Sequence, residues 1–264
     1  MAVRPKTPEE LMIMREAGRI NALALQAMRE AVEPGVSTLE LDQIAAEVLR
    51  KHHATAAFLG YAPGGNKPPY PGTITASINN ELVHGIPSAD RVLQEGDIVS
   101  LDCGTIYNGY VGDAAITVPV GRIAPEVERL LEVTQQALAI GIDKARAGSE
   151  TRDVSRAVQR YIEGHGFGVV REYTGHGVGR TMHEEPQVPN WWPTAHKRQR
   201  GWRSVPLVPG ITFALEPMVT AGRFETKELA DRWTVVTRDG SWCAHYEHTI
   251  AIAPEGPPLI LTLP

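Results

Sequence analysis

Four acidic residues stand where ionised groups are expensive. Asp102 and Asp113 flank the Asn108-Gly109 dipeptide in the segment Leu101 to Asp113, and Asn-Gly is a strong signal for a two-residue hairpin turn. In that register Tyr107 faces Tyr110 and Gly104 faces Asp113. Asp102, two residues before Gly104, then shares a sheet face with Asp113, on a diagonal of roughly 7–8 Å by Cα. Gly104 leaves room for the approach. Two carboxylates on one face repel unless a cation neutralises them. Isolated pairs of strand aspartates mostly face water, but here the run Ile98-Val99-Ser100-Leu101 reads as buried, which favours a metal. Glu216 ends the apolar run Phe213-Ala214-Leu215, and Glu247 lies within Ala244 to Ile252, after an Asp239-Gly240 turn. An unpartnered acid is costly in either place. Together the four carboxylates can hold two divalent ions where they could not tolerate one another. An oxygen-rich set with one imidazole suits manganese, iron or cobalt at least as well as zinc.

The imidazole comes from Tyr173 to Pro186, which holds His176, His183 and three glycines. These glycines are not a dinucleotide fingerprint, because the acidic partner and the helix are wrong. His183-Glu184-Glu185 is not a zincin helix either, because Gln187 stands where the second histidine belongs. Flexible glycine around His176 is expected to let backbone approach a site closely. His84 sits in a turn-rich segment, Asn79 to Pro87. A lone histidine is more often structural or exposed than catalytic, and that reading is taken for His52, His53, His165, His196, His245 and His248. For His84, His176 and His183, in loops shaped by Gly or Pro, the functional reading weighs evenly with it.

The elements that must position these groups come in two sets. Thr7 with Glu10, and Ser37 with Glu40, are capping boxes that open two helices. The first stops before Pro34-Gly35, and strands dominate from about Thr73 to Val120. A second pair is expected over Ala124 to about Ala147 and Thr151 to about Gly164. Gly35, Thr38, Leu41, Ala45 and Leu49 match Gly148, Thr151, Val154, Val158 and Ile162 at one constant offset. Leu93 to Asp102 reads against Leu207 to Glu216 at nearly the same offset. This points to a duplication, two helix-plus-strand halves around a shared centre, more than to chance agreement at small apolar positions. Asp102 and Glu216 fall at equivalent places in the halves.

Composition narrows the rest. Of 264 residues 42% are hydrophobic, enough for a sizeable core. A net charge of −5 gives no general reason to bind DNA or an anionic membrane. Two cysteines, Cys103 and Cys243, imply no disulfide framework and fit a reducing compartment, although a buried thiol pair and a single bridge both remain open. No run is long enough to span a membrane, and the start is not that of a signal peptide, so a cytoplasmic location is expected. Asn190 to Ser204, rich in tryptophan, lysine and arginine, reads as a surface loop.

At these residues the chain resembles the bacterial type I methionine aminopeptidases. The match runs through Asn79 to Pro87, Leu101 to Asp113, Gly175 to Pro186, Phe213 to Val219 and Tyr246 to Ile250. The resemblance implies the α+β pita-bread fold of creatinase and the aminopeptidases, two pseudo-symmetric halves around a central antiparallel sheet. One catalytic domain, 1–264, would divide into halves at about 7–122 and about 123–264. It implies that Asp102, Asp113, His176, Glu216 and Glu247 ligate two divalent metal ions. Asp102 would serve one ion, His176 and Glu216 the other, and Asp113 and Glu247 would bridge. Glu216 would shuttle the proton, His183 would stabilise the oxyanion, and His84 would contact the scissile amide. Phe58, Tyr61, Thr75, Met182 and Trp233 would line the methionine pocket, with core packing an equal reading for Phe58. The implied activity is removal of initiator methionine from nascent polypeptide N-termini when the second residue is small, by a monomer. The basic aromatic loop could touch ribosomal RNA, while a solvated loop is the plainer reading. Proline-directed relatives share the ligand pattern but usually carry a large N-terminal domain, and only about seven residues precede the first helix here. Ligand-free binding proteins of the same fold lack the set this chain retains.

Overall fold

Both early helices begin at their capping boxes. The Thr7 hydroxyl accepts the Glu10 N–H at 3.3 Å while the Glu10 carboxylate accepts the Thr7 N–H at 2.9 Å. Ser37 and Glu40 repeat the exchange at 3.3 and 2.7 Å. Each pair satisfies two orphan N–H groups of a helix start. The computed structural model describes residues 3–65, 67–193 and 203–264.

The first half runs α1 (Pro8–Ala31), α2 (Thr38–Lys51), β1 (Thr55–Ala56), β2 (Ile74–Ile78), β3 (Glu81–Val83), β4 (Ile98–Tyr107) and β5 (Tyr110–Pro119). The second opens with α3 (Pro125–Lys144), α4 (Thr151–Gly164), β6 (Gly168–Val169), β7 (Gly175–Gly177), β8 (Glu184–Val188) and β9 (Thr212–Leu215). It ends with β10 (Met218–Thr220), β11 (Thr226–Glu228), β12 (Val235–Thr237), β13 (Cys243–His245), β14 (Glu247–Ala251) and β15 (Leu259–Ile260). The third helix ends three residues before the expected Ala147, because Ala145 N–H closes on Gly141 and Ile142 and the chain turns through Gly148 at φ 87°.

A nine-stranded antiparallel sheet forms the centre, in the order β1-β4-β5-β14-β9-β7-β8, with β2 added to β4 and β15 to β14. The β4–β5 hairpin has the expected register, Tyr107 opposite Tyr110 and Gly104 opposite Asp113. Asn108 and Gly109 turn it at φ 46° and 76°, the left-handed pair that matches strand twist.

The repeat seen in the sequence recurs in the hydrogen bonds. Helices α2 and α4 each span 14 residues. Gly35 N–H donates to Leu93 O at 2.9 Å, and Gly148 N–H to Leu207 O at 3.0 Å. Thr38 N–H reaches Arg91 O at 2.9 Å, and Thr151 N–H reaches Val205 O at 3.0 Å. Gly35 and Gly148 both hold positive φ, 98° and 87°, which glycine adopts without steric cost. Chance agreement of small apolar residues would not reproduce paired bonds to matching partners. The two halves are copies of one docking arrangement, and they set Asp102 on β4 and Glu216 just beyond β9.

Helix α1 lies against the hairpin at contact distance. A Cβ on Gly112 would fall 2.6 Å from Gly18 N, so strand and helix backbones touch there. Asn21, fully buried, donates through Nδ2 to Gly112 O at 3.2 Å and to Cys103 O. In the other half, a Cβ on Gly141 of α3 would lie 2.7 Å from Leu215 Cδ2.

The structure corrects one expectation here. Asn190 and Trp191 are core residues, not the start of a surface loop. Trp191 is 8% exposed and packs with Leu130, Val158 and Ile162 of α3 and α4. The indole buries a large apolar surface against these helices, and Arg171 lies over its ring at 4.9 Å. His196, Lys197, Arg198, Arg200 and Trp202 lie outside the described residues. Cys103 and Cys243 are both buried and free. Among the described residues no helix is long and apolar enough to cross a membrane.

Gly112→Ala must separate α1 from β5. It should cost about 2–3 kcal/mol of unfolding free energy by urea titration, in the range of core overpacking, whereas Gly35→Ala, with open space around it but positive φ, should cost about 1 kcal/mol.

Candidate metal centre and its cavity

All twelve residues singled out from the sequence meet at one cavity of about 380 Å³. Asp102 and Asp113 reach it from the hairpin, Glu216 and Glu247 from β9 and β14, and His176 from β7. Thr75 arrives directly opposite Asp102 in the β2–β4 register.

The donor atoms converge. His176 Nε2 lies 3.6 Å from Asp113 Oδ2 and 3.5 Å from Glu216 Oε1. Its Nδ1 sits 3.0 Å from Gly177 O, a pure acceptor, so Nδ1 carries the proton and Nε2 presents a lone pair to the acids. Ligand atoms of Asp113, His176 and Glu247 all lie within 4.8 Å of one another. Asp102 Oδ1, Asp113 Oδ1 and Glu247 Oε1 are buried with no hydrogen-bond partner. Asp113 is fixed through its backbone, which exchanges hydrogen bonds with Thr249 Oγ1 at 3.0 and 2.8 Å.

Burial dominates the electrostatics. It pushes Asp102 up to about 8, and it raises Asp113, Glu216 and Glu247 well above the usual carboxylate range. The charge of Asp102 adds to the rise of the other three. Burial also lowers His176 to about 3 and His84 to about 4, which keeps both rings neutral. Orphaned carboxylate oxygens and a neutral imidazole lone pair aimed at one point fit a divalent cation centre. As anions, the acids alone would repel one another there.

The glycines act differently from the expectation. Gly175 and Gly177 do not lend flexibility; a Cβ on either would strike the carbonyl of Ala214 or Glu185. They allow β7 to lie tightly between β8 and β9, which aims His176 inward. Gly104 does make room, but for the pocket wall: its Cβ would fall 2.9 Å from Ala57 Cβ and 3.0 Å from Phe58 Cε1.

The wall is aromatic. Phe58 and Tyr70 stack edge to face at 6.5 Å, as do Tyr70 and Trp233 at 5.1 Å. Trp233 Nε1 is held by Pro68 O at 3.1 Å. His84, at φ 62°, stands edge-on to Tyr173 and Trp233 at 6.0 and 6.1 Å. His183 lies at the mouth, its ring 4.3 Å from that of His176 and its Nδ1 3.0 Å from the Tyr61 hydroxyl. Glu184 anchors the loop that carries it, accepting Arg180 N–H at 2.8 Å, Thr181 N–H at 3.2 Å and the buried Lys6 ammonium at 2.8 Å.

The sequence reading missed eight of the lining residues, among them Tyr70, Tyr173 and His245. Nothing local marks Tyr70, within Pro68-Pro69-Tyr70-Pro71. His245 did have a signal, because it stands two residues before Glu247, the spacing that shares a strand face.

The model of metallopeptidase family M24 matches residues 12–254. Methionine aminopeptidase 1 of Bacillus subtilis is 50% identical over 251 residues, covering 95% of this chain and 96% of that protein. The chain belongs to metallopeptidase family M24, among its methionine aminopeptidases. The crystal structure of methionine aminopeptidase from Thermotoga maritima superposes with a TM-score of 0.92 at 40% identity, covering 100% of both chains. An Xaa-Pro dipeptidase from Bacillus anthracis has a TM-score of 0.75 and 25% identity, but only 61% of its length is covered. The M24 architecture is the expected pita-bread fold, and as a member this chain is a metallo-exopeptidase.

The raised carboxylates set a pH dependence for the metal-free protein. An acid whose folded pKa exceeds its unfolded value binds its proton more tightly when folded, so stability falls as pH rises between the two. With unfolded values near about 4 and Asp102 at about 8, the melting temperature of chelator-treated protein should drop from pH 5 to pH 9. Added divalent cation should flatten that slope in the same calorimetric series.

Proposed function

We propose that this protein removes the initiator methionine from nascent polypeptides whose second residue is small, using a centre for two divalent ions. One observation carries the reading: the carboxylate-and-imidazole centre and the apolar aromatic wall of Phe58, Tyr61, Tyr70, Met182 and Trp233 share a single cavity. An unbranched thioether side chain fits such a wall, since sulfur packs well against aromatic rings.

Asp102, Asp113, His176, Glu216 and Glu247 would hold the ions. Bound ions supply Lewis-acid activation of water and of the scissile carbonyl. Glu216 serves as the proton carrier: it takes a proton from the attacking water and delivers it to the leaving amine nitrogen as the amide C–N bond breaks. A carboxylate in a buried site, with its proton affinity raised, suits both halves of that transfer.

The contact between Tyr61 and His183 supports a role for His183. With the Tyr61 hydroxyl donating to Nδ1, one of the two directions the 3.0 Å contact allows, the neutral ring keeps its proton on Nε2. That N–H is then available to the developing oxyanion, where one donor is worth about 10²–10³ in kcat. Burial lowers the pKa of His183, which favours the neutral donor over a fixed cation. His84 has a buried Nδ1 without a partner among the described residues, which supports a contact with the scissile amide or the residue after methionine.

Protein reconstituted with Mn, Fe, Co or Zn should release methionine from Met-Ala-Ser and leave Xaa-Pro peptides nearly untouched; the opposite preference would refute the assignment. Glu216→Gln should lower kcat by about 10³-fold or more with KM little changed. Stripping the metal should abolish turnover, and titrating it back, with metal content counted in parallel, should show two ions per chain.

A further inference from the structure

His245 and His176 share one carboxylate, Glu216, and each imidazole lies beside a different oxygen of it. Glu216 Oε1 lies 3.5 Å from His176 Nε2, and Oε2 lies 3.9 Å from His245 Nε2. The same His245 nitrogen is 4.0 Å from Glu247 Oε2. His245 is 2% exposed, and its Nε2 is buried with no hydrogen-bond partner.

The ring is aimed there by a rigid backbone. His245 N–H donates to Thr117 Oγ1 at 2.9 Å, and the Thr117 hydroxyl donates to His245 O at 2.8 Å. Ser100 Oγ backs Thr117 at 2.9 Å, and His245 pairs with Met218 across β10 and β13. A side chain held this way, with its one free polar atom in the cavity, is not simply filling space.

Elimination assigns the donor. The Glu216 backbone is held by Asn190 Nδ2 at 2.8 Å, but that bond leaves its carboxylate free. His176 cannot donate to it, because its proton is on Nδ1, bonded to Gly177 O. Among the described residues, His245 is the remaining side chain within 4 Å that can present an N–H to Glu216.

We propose that His245 is a positioning residue for proton transfer, its Nε2–H holding the Glu216 carboxylate in the orientation from which it exchanges a proton with water and the leaving amine. The inference rests on Glu216 as the proton carrier. The present 3.9 Å closes to a hydrogen bond with about 1 Å of side-chain movement. By donating to Oε2, the oxygen away from His176, His245 restrains one oxygen of Glu216 and leaves Oε1 free.

The test pairs two variants with one spectroscopic measurement on the wild type. His245→Ala should lower kcat on Met-Ala-Ser by about 10–100-fold, the usual effect of removing such a supporting hydrogen bond, with KM and the number of bound Mn ions unchanged. His245→Gln, which restores an N–H near the same place, should recover most of that loss. Wild-type kcat in the alanine variant, or a glutamine variant as impaired as alanine, would overturn the proposal. So would loss of bound metal in the alanine variant, which would make His245 a ligand instead. In zinc-loaded wild-type protein labelled with ¹⁵N-histidine, the His245 ring should carry its proton on Nε2; a proton on Nδ1 refutes the proposal whatever the variants do. Wild type inactive on Met-Ala-Ser would count against the proposed function, and the tautomer would still decide the role of His245.

Discussion

Four carboxylates buried together are the constraint on which the rest of this structure depends. Asp102, Asp113, Glu216 and Glu247 share one cavity, and among the described residues no lysine or arginine forms an ion pair with any of them. The imidazoles of His176 and His245 lie within 4.0 Å of Asp113, Glu216 or Glu247, but burial keeps both neutral, so neither offsets the acids' charge. Such a cluster is unstable as anions and useless as protonated acids. A cation resolves both problems at once, and the fold spends its rigidity on keeping the acids in place for it.

That rigidity comes from close backbone contacts more than from bulky packing. Gly112 brings β5 against Gly18 of α1, Gly175 and Gly177 bring β7 between its neighbours, and Gly141 admits Leu215 beside α3. Each contact sits next to a strand that carries or leads into a candidate ligand. The duplicated docking of α2 and α4 then holds the two sets of strands in matching positions, so that an aspartate from one half meets a glutamate from the other. Acids with so unfavourable a mutual environment need a scaffold that cannot relax them apart.

The substrate side follows a different logic. His84 and His183 lie at the cavity and are held by aromatic neighbours and one phenol hydrogen bond, not by strand pairing. The His183 loop owes its shape to Glu184, and through Lys6 to the segment ahead of α1.

Much of this was legible in the residues. Capping boxes located α1 and α2, and Asn108-Gly109 set the hairpin register and so the shared face of Asp102 and Asp113, because these signals are local and have one geometric outcome. The offset between the halves showed the duplication for the same reason. The five candidate ligands were legible as acids in apolar strands and a histidine among glycines. Tyr70 and the burial of Trp191 were not, since both depend on what lies opposite in space. His245 shows the boundary best. Its spacing from Glu247 was visible in the chain, yet a histidine two residues from a candidate ligand has no assigned role until the fold brings Glu216, from a different strand, beside its Nε2. The sequence by itself determined which groups could hold a cation and which faces they share. Only the tertiary structure decided which of those groups meet and which nitrogen carries the proton, because those are distances between segments far apart in the chain.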